Sequence, residues 1–252
     1  MTDSDHRSEF YPTPRWVRIM FNGVWVADSK KAMLLRESGR LPLYYFPRED
    51  VRTDLLSPSD HSTHSDHKGD GVFWDVTVGD RTADHAAFTF RNAPPGGPDL
   101  SQHLAFEWRQ MDHWFEEDDE VFVHARDPHK RVDAMQSSRH FEIKVDGVTV
   151  ADTRRATLLF ETGLPGRIYI PKDDVRVQYL EPSDSQSACP YKGVANYYSL
   201  KVGEKLHRDL VWYYNYPIAE CPKIAGLLCF YSEKVDILED GELLDRPKTP
   251  FA

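Results

Sequence analysis

Trp16-Val17-Arg18-Ile19-Met20-Phe21-Asn22-Gly23-Val24-Trp25-Val26 is the stretch that decides how this chain is read. Apolar residues alternate with others at the period of a half-buried strand, halt at Asn-Gly, and resume. Asn-Gly is the turn pair that tolerates positive φ at both positions, so the stretch reads as a β-hairpin. The same device returns at Asp146-Gly147-Val148. Working outward, Ala27-Asp28 matches Ala151-Asp152, Leu34-Leu35 with Glu37 matches Leu158-Leu159 with Glu161, and Asp50-Val51-Arg52 matches Asp174-Val175-Arg176. Pro58-Ser59-Asp60 and Lys68-Gly69 match Pro182-Ser183-Asp184 and Lys192-Gly193, all at one offset, 152 − 28 = 124. Leu104, Phe106 and Asp112 carry it without a gap to Leu228, Phe230 and Asp236. A fixed period of this kind marks a duplicated unit.

The expected fold is therefore mainly β: two tandem domains of antiparallel sheet with short helical turns. The boundaries read as a polar tail at 1–14, a first repeat at 15–128, a linker at 129–139 and a second repeat at 140–252. Residues 32–38 and 156–162 are each long enough for one or two helical turns. Residues 43–46 and 167–170 read as strands stopped by Pro47 and Pro171. The acidic run at 116–120 reads as a solvated turn.

Composition narrows the function. A net charge of −10 with no cluster of Lys and Arg argues against tracking a nucleic-acid backbone. No apolar run approaches the roughly 18–20 residues that span a bilayer, and the start of the chain lacks a signal core, so a soluble, cytoplasmic protein without a membrane partner is expected. Cys189, Cys221 and Cys229 are odd in number and form no C-x-x-C pair, which fits a reducing compartment and supplies no four-cysteine zinc site.

The hairpin with Ala-Asp after it, the Asp-Val-Arg and Pro-Ser-Asp elements, Cys189-Pro190-Tyr191-Lys192-Gly193 and the Trp212 and Tyr214 pair together resemble the bacterial and fungal proteins grouped as domain of unknown function 427. Glu117-Asp118-Asp119-Glu120-Val121-Phe122-Val123-His124 with Arg126-Asp127-Pro128 resembles the join in its two-copy members. The resemblance covers nearly the whole chain after the tail. It implies a β-tent-like fold, two small antiparallel sheets meeting at an angle, and brings no established activity. The zinc-binding cysteines of many β-tent proteins are absent, as is the Gly-Ser pair with spaced Asp ligands that a nucleotidyltransferase needs. The first repeat departs from the family pattern, with Ser65, Asp66 and His67 where the second has Cys189, Pro190 and Tyr191, and with Phe88 and Phe90 where the second has Trp212 and Tyr214. The second repeat is the intact one.

Candidate chemistry concentrates there. Cys189 lies three residues before Lys192, whose ammonium would favour the nucleophilic thiolate. Lys192 and Asp184 together can bind an anion or move a proton; the plainer reading is a braced turn. Glu161 reads either as an acid-base group in an aromatic pocket or as the partner of Arg176 at a sheet edge. Tyr169, Tyr191, Tyr198 and Trp212, with Tyr197, Tyr213 and Tyr214, supply enough aromatic area to line a small-molecule pocket or to fill a core. Simple alternation puts Trp212 on one face with Leu210 and Tyr214. His61, His64 and His67 have the spacing of a metal site, but the second repeat has Ser185, Ala188 and Tyr191 there, so an exposed loop is preferred and no metal is assigned. No cofactor is specified. The leading expectation is a protein that binds a small polar or anionic molecule in the second repeat. The alternatives are an enzyme using Glu161 or Asp184 as acid-base with Lys192 holding substrate, and a protein-interaction module.

Overall fold

A computed structural model describes residues 6–249. The chain divides into two compact units, Met1–Asp127 and Pro128–Ala252. Unit one contains β1 (Ser8–Pro12), β2 (Val17–Phe21), β3 (Val24–Ser29), β4 (Met33–Glu37), β5 (Leu43–Pro47), β6 (Leu56–Ser65), β7 (Gly69–Val78), β8 (Arg81–Arg91), β9 (His103–Phe106), β10 (His113–Glu116) and β11 (Asp119–Glu120). They form a seven-stranded sheet, order β1-β4-β5-β9-β8-β7-β6, and a four-stranded sheet, order β11-β10-β2-β3. Every strand pairing between them is antiparallel.

Unit two repeats the plan with β12 (Val132–Ser137), β13 (Phe141–Val145), β14 (Val148–Thr153), β15 (Ala156–Glu161), β16 (Arg167–Ile170), β17 (Leu180–Cys189), β18 (Gly193–Val202), β19 (Lys205–Tyr213), β20 (Leu228–Phe230), β21 (Asp236–Glu239) and β22 (Glu242–Leu243). Its sheets run β12-β15-β16-β20-β19-β18-β17 and β14-β13-β21-β22. Asn22 and Gly23 take φ of 46° and 74°, and Asp146 and Gly147 take 48° and 80°, so both hairpins close as the turn chemistry requires.

In each unit the main core lies between the two sheets. Val17, Ile19 and Phe21 of the smaller sheet meet Leu34, Tyr44, Phe46, Val76 and Leu104 of the larger one. The larger sheet buries its other face too: Leu35, Tyr45, Phe73, Phe88 and Ala105 form a second cluster, and Leu159, Tyr169, Ala195, Trp212 and Cys229 form its counterpart in unit two. Two buried faces explain why neighbouring residues such as Leu34 and Leu35 are both apolar.

That same feature corrects several readings. Residues 32–38 and 156–162 are not helical turns; they contain β4 and β15, because adjacent leucines on opposite sides of a pleat each reach a core. The short helical turns are 3-10 and lie elsewhere, at Arg48–Asp50 and Lys172–Asp174 among others. Part of the expected tail is β1, paired with β4, and residues 1–5 lie outside the described residues. The expected linker contains β12, paired with β15. Pro58-Ser59-Asp60 and Pro182-Ser183-Asp184 lie within strands rather than in loops. The repeat slips by one residue near its end: Val17 pairs with Glu116 but Phe141 pairs with Glu239, and 239 − 116 = 123. Glu116 is buried rather than solvated, accepting from Tyr44 Oη at 2.8 Å and Arg15 Nη1 at 2.7 Å.

Candidate functional site

The β17–β18 turn carries Cys189, Pro190, Tyr191 and Lys192. Cys189 pairs with Gly193, and Gly193 has a φ of 100°. A Cβ there would sit 3.2 Å from the carbonyl oxygen of Tyr216, so glycine lets the covering segment approach. That segment is fastened to two adjacent carbonyls of the turn: Ile218 N–H donates to Lys192 O at 3.2 Å and the Cys221 thiol donates to Tyr191 O at 3.4 Å.

This turn aims Lys192 inward, where its Nζ pairs with Glu161 Oε2 at the end of β15. Lys130 Nζ takes the other oxygen, Oε1, at 3.3 Å. Burial draws the Lys192 pKa down, but its interactions with Cys189 and with the Glu161 carboxylate outweigh it and the net shift is upward. The amine is therefore held as an ammonium ion. The first repeat has the same pair, Lys68 Nζ to Glu37 Oε2 at 2.5 Å, with His6 Nε2 at 3.7 Å from Oε1. The expected alternative partner, Arg176, is exposed and takes no part; the buried glutamate finds a lysine instead.

Beside this pair lies the second buried face of the larger sheet. Trp212 Nε1 donates to Tyr169 Oη at 3.2 Å, and the Trp212 ring lies 4.6 Å from that of Tyr231. Tyr197 Oη is 2.6 Å from Ser187 Oγ. Burial drives the Tyr169 pKa well up, with Cys229 and Tyr214 beside it adding to the shift; burial, then Cys189, does the same for Tyr214. Both hydroxyls stay protonated and able to donate. Arg167, at the start of β16, grips Glu233 through two bonds of 2.9 and 2.7 Å and donates to Ser232 Oγ at 2.7 Å. Its guanidinium carbon lies 5.5 Å from the centre of the Trp212 ring.

Of the residues singled out in the sequence, Glu161, Cys189, Tyr191, Lys192, Tyr169 and Trp212 belong to this neighbourhood. Cys189 is half-buried and lies close enough to act on both Lys192 and Tyr169. Three do not belong. Asp184 is exposed at an irregularity of β17 between Ser183 and Gln186, and the carboxylate that closes this irregularity is Asp209, which accepts from Ser183 Oγ at 2.5 Å and Ser185 Oγ at 2.8 Å. Arg176 is exposed. Tyr198 packs toward the main core, with Lys172 Nζ donating to its Oη at 3.1 Å and Tyr213 stacked at 4.9 Å. Asp209 at φ 51° also breaks the alternation of β19, so Leu210 joins the main core while Trp212 and Tyr214 join the other face.

Arg167 and Glu233 were not foreseen. Their signal was divergence between repeats, since the equivalent positions hold Leu43 and Arg109 at the offset 167 − 43 = 124. The three histidines separate: His61 stacks with His85 at 4.9 Å, His64 Nδ1 bonds Asp70 at 2.8 Å and His67 stacks with His6 at 3.6 Å. Among the described residues no group of His, Cys, Asp and Glu is arranged to hold a metal ion.

The fold and these paired sites define a tandem all-β protein, each half built from one larger and one smaller antiparallel sheet. The chain belongs to the family described as Domain of unknown function (DUF427), which it matches twice, over residues 9–117 and 133–241. No curated protein shows significant similarity to it. Among the described residues no helix is long and apolar enough to cross a membrane.

Proposed function

We propose that the second repeat is a receptor for a small polar molecule carrying an anionic group, bound against Tyr169, Trp212 and Tyr214 with Lys192 and Lys130 at the rim. The observation that carries this reading is the contrast between the two repeats. One chain builds the same sheet face twice, once with Phe73, Phe88, Phe90, Ala105 and Leu43, and once with Tyr197, Trp212, Tyr214, Cys229 and Arg167. Burying polar groups costs free energy unless each is bonded, and the first repeat demonstrates that the fold does without them. Such groups earn their place when they face a ligand. Glu161 shared between two ammonium ions leaves one surplus positive charge, which suits an anion. Catalysis with Glu161 or Asp184 as acid-base is disfavoured, since Asp184 is exposed and stands apart while Glu161 is engaged by both Lys192 and Lys130.

The test is native mass spectrometry of gently purified full-length protein beside the triple variant Tyr197→Phe, Trp212→Phe, Tyr214→Phe, which gives the second face the residues of the first. A small-molecule adduct on the wild type that denaturation releases and the variant lacks supports the proposal. An adduct retained equally by the variant, or absent from both, counts against it.

A further inference from the structure

We infer that the first repeat carries a separate site for a phosphate-type oxyanion, in the cleft at the end of β4. The cleft has a volume of 280 Å³ and is walled by Arg7, Arg36, Ser38 and Arg40 together with Glu9, Glu37 and Asp127. The charges do not cancel. Arg36 is consumed by Glu9 at 2.5 Å and Asp127 at 3.0 Å, and Glu37 is consumed by Lys68 at 2.5 Å. Arg7 and Arg40 are exposed and, among the described residues, pair with no carboxylate. Counting Arg7, Arg36, Arg40 and Lys68 against Glu9, Glu37 and Asp127 gives 4 − 3 = +1, a positive spot on a chain of net charge −10.

The two free arginines are anchored to the same short stretch. Arg7 N–H donates to Ser38 Oγ at 3.0 Å, Ser38 N–H donates to Arg7 O at 2.9 Å, and Arg40 N–H donates to Glu37 O at 3.1 Å. Their backbones are thus fixed while both guanidinium forks remain available, and a planar fork with several N–H groups matches the oxygens of a phosphate. The scaffold does not require Arg40, because the second repeat has Leu164 there, at 164 − 40 = 124; Arg7 has a counterpart in Arg131, but that arginine is paired with Asp133 at 2.7 Å, whereas Arg7, among the described residues, is not. The carboxylates on the wall also limit the ligand: Glu37 has its own cation, Lys68, but Glu9 and Asp127 share Arg36, so an anion is admitted only beside Arg7 and Arg40. The site lies in the other repeat from the tyrosine-lined face and does not rest on that reading.

Calorimetric titration of the full-length protein with pyrophosphate at low ionic strength tests this. Saturable binding of one equivalent is expected, weakened by about tenfold or more in the double variant Arg7→Gln, Arg40→Gln, as loss of two charge-assisted contacts implies. The control is Arg109→Gln with Arg208→Gln, which removes the same charge from two other exposed positions and is expected to bind within about twofold of wild type, the scale of a general field effect at a distance. Thermal unfolding of each variant verifies that the exposed substitutions leave the fold intact. Absence of saturable binding to the wild type overturns the inference. So does equal binding by the double variant, or an equal loss in the control.

Discussion

Replacing Lys68 by methionine keeps most of the side-chain volume and deletes the charge. Glu37 is then left with its side chain 4% exposed and, among the described residues, His6 Nε2 at 3.7 Å as its remaining ion-pair contact. Breaking one side of a buried ion pair costs about 3–5 kcal/mol, because the surviving charge is desolvated without compensation. The equivalent change in the second repeat, Lys192→Met, is milder. Glu161 keeps Lys130 Nζ at 3.3 Å, and at an effective dielectric of about 20 a pair at that distance carries about 5 kcal/mol before desolvation. The residual loss falls to about 1–2 kcal/mol once desolvation of that surviving pair is allowed for. At roughly 4 °C per kcal/mol for a unit of this size, Lys68→Met lowers the midpoint of unit one by about 12–20 °C and Lys192→Met lowers that of unit two by about 4–8 °C. Hydrogen exchange read by mass spectrometry separates the two units, with β5 and β16 as reporters of their central strands. The double variant Glu37→Gln, Lys68→Met recovers most of the loss, since no lone charge remains. The reasoning fails if Lys192→Met is the more damaging of the two, or if the double variant is no better than Lys68→Met alone.

Two further outcomes follow from the second repeat. Burial alone would raise the Glu233 pKa, but hydrogen bonds from Arg167 and Thr249 overcome it and bring the carboxyl down to about 2. A folded pKa below the unfolded one means that this stability is present above the unfolded value of about 4.3 and is lost as pH falls toward 2. Acid unfolding of unit two is therefore expected to steepen over that window, and Glu233→Gln to flatten it; an unchanged acid limb in the variant rejects the assignment. Thiol labelling gives the second outcome. Burial pushes Cys221 up to about 11 and pushes Cys229 still higher, whereas Cys189 is half-buried. Iodoacetamide at neutral pH should modify one cysteine per native chain, Cys189, with the other two reacting only after denaturation; labelling of Cys221 or Cys229 in the native protein refutes it.

What was legible in the sequence was what short stretches of chain determine. Asn22-Gly23 and Asp146-Gly147 announce their turns because positive φ is a local demand, and the repeat offset announces the duplication. The strands β4 and β15 were obscured because Leu34-Leu35 and Leu158-Leu159 face two cores, which erases the alternation that marks a half-buried strand. Lys192 and Glu161 each stood out, yet their pairing spans 31 residues and no local pattern distinguishes Lys192 from Arg176 as the partner. The Arg167 and Glu233 bond spans 66 residues and was invisible for the same reason. Asp184 was singled out with Lys192 as part of the repeated Pro-Ser-Asp element; in space the left-handed turn at Asp209 brings a different carboxylate to Ser183.

The duplication turns each repeat into a control for the other, and that separates scaffold from site. The lysine–glutamate pair occurs in both units, beside a phenylalanine face in one and a tyrosine and tryptophan face in the other, so its presence follows the fold and not the face. What differs is where each unit has gained hydrogen-bonding groups that its sister lacks. Unit one has them beyond the edge of the pair, as Arg36 and Arg40 where unit two has Phe160 and Leu164; unit two has them on the sheet face, as Trp212 and Tyr214 where unit one has Phe88 and Phe90. Tyr45 shows the cost of mixing the two designs. Its hydroxyl is buried and, among the described residues, has no hydrogen-bond partner, because Phe88 cannot supply the N–H that Trp212 gives to Tyr169. In unit two the same position is bonded to Trp212 and lies beside the further polar side chains Tyr197 and Tyr214. The two units therefore place the hydrogen-bonding groups that distinguish them on different walls of the same fold.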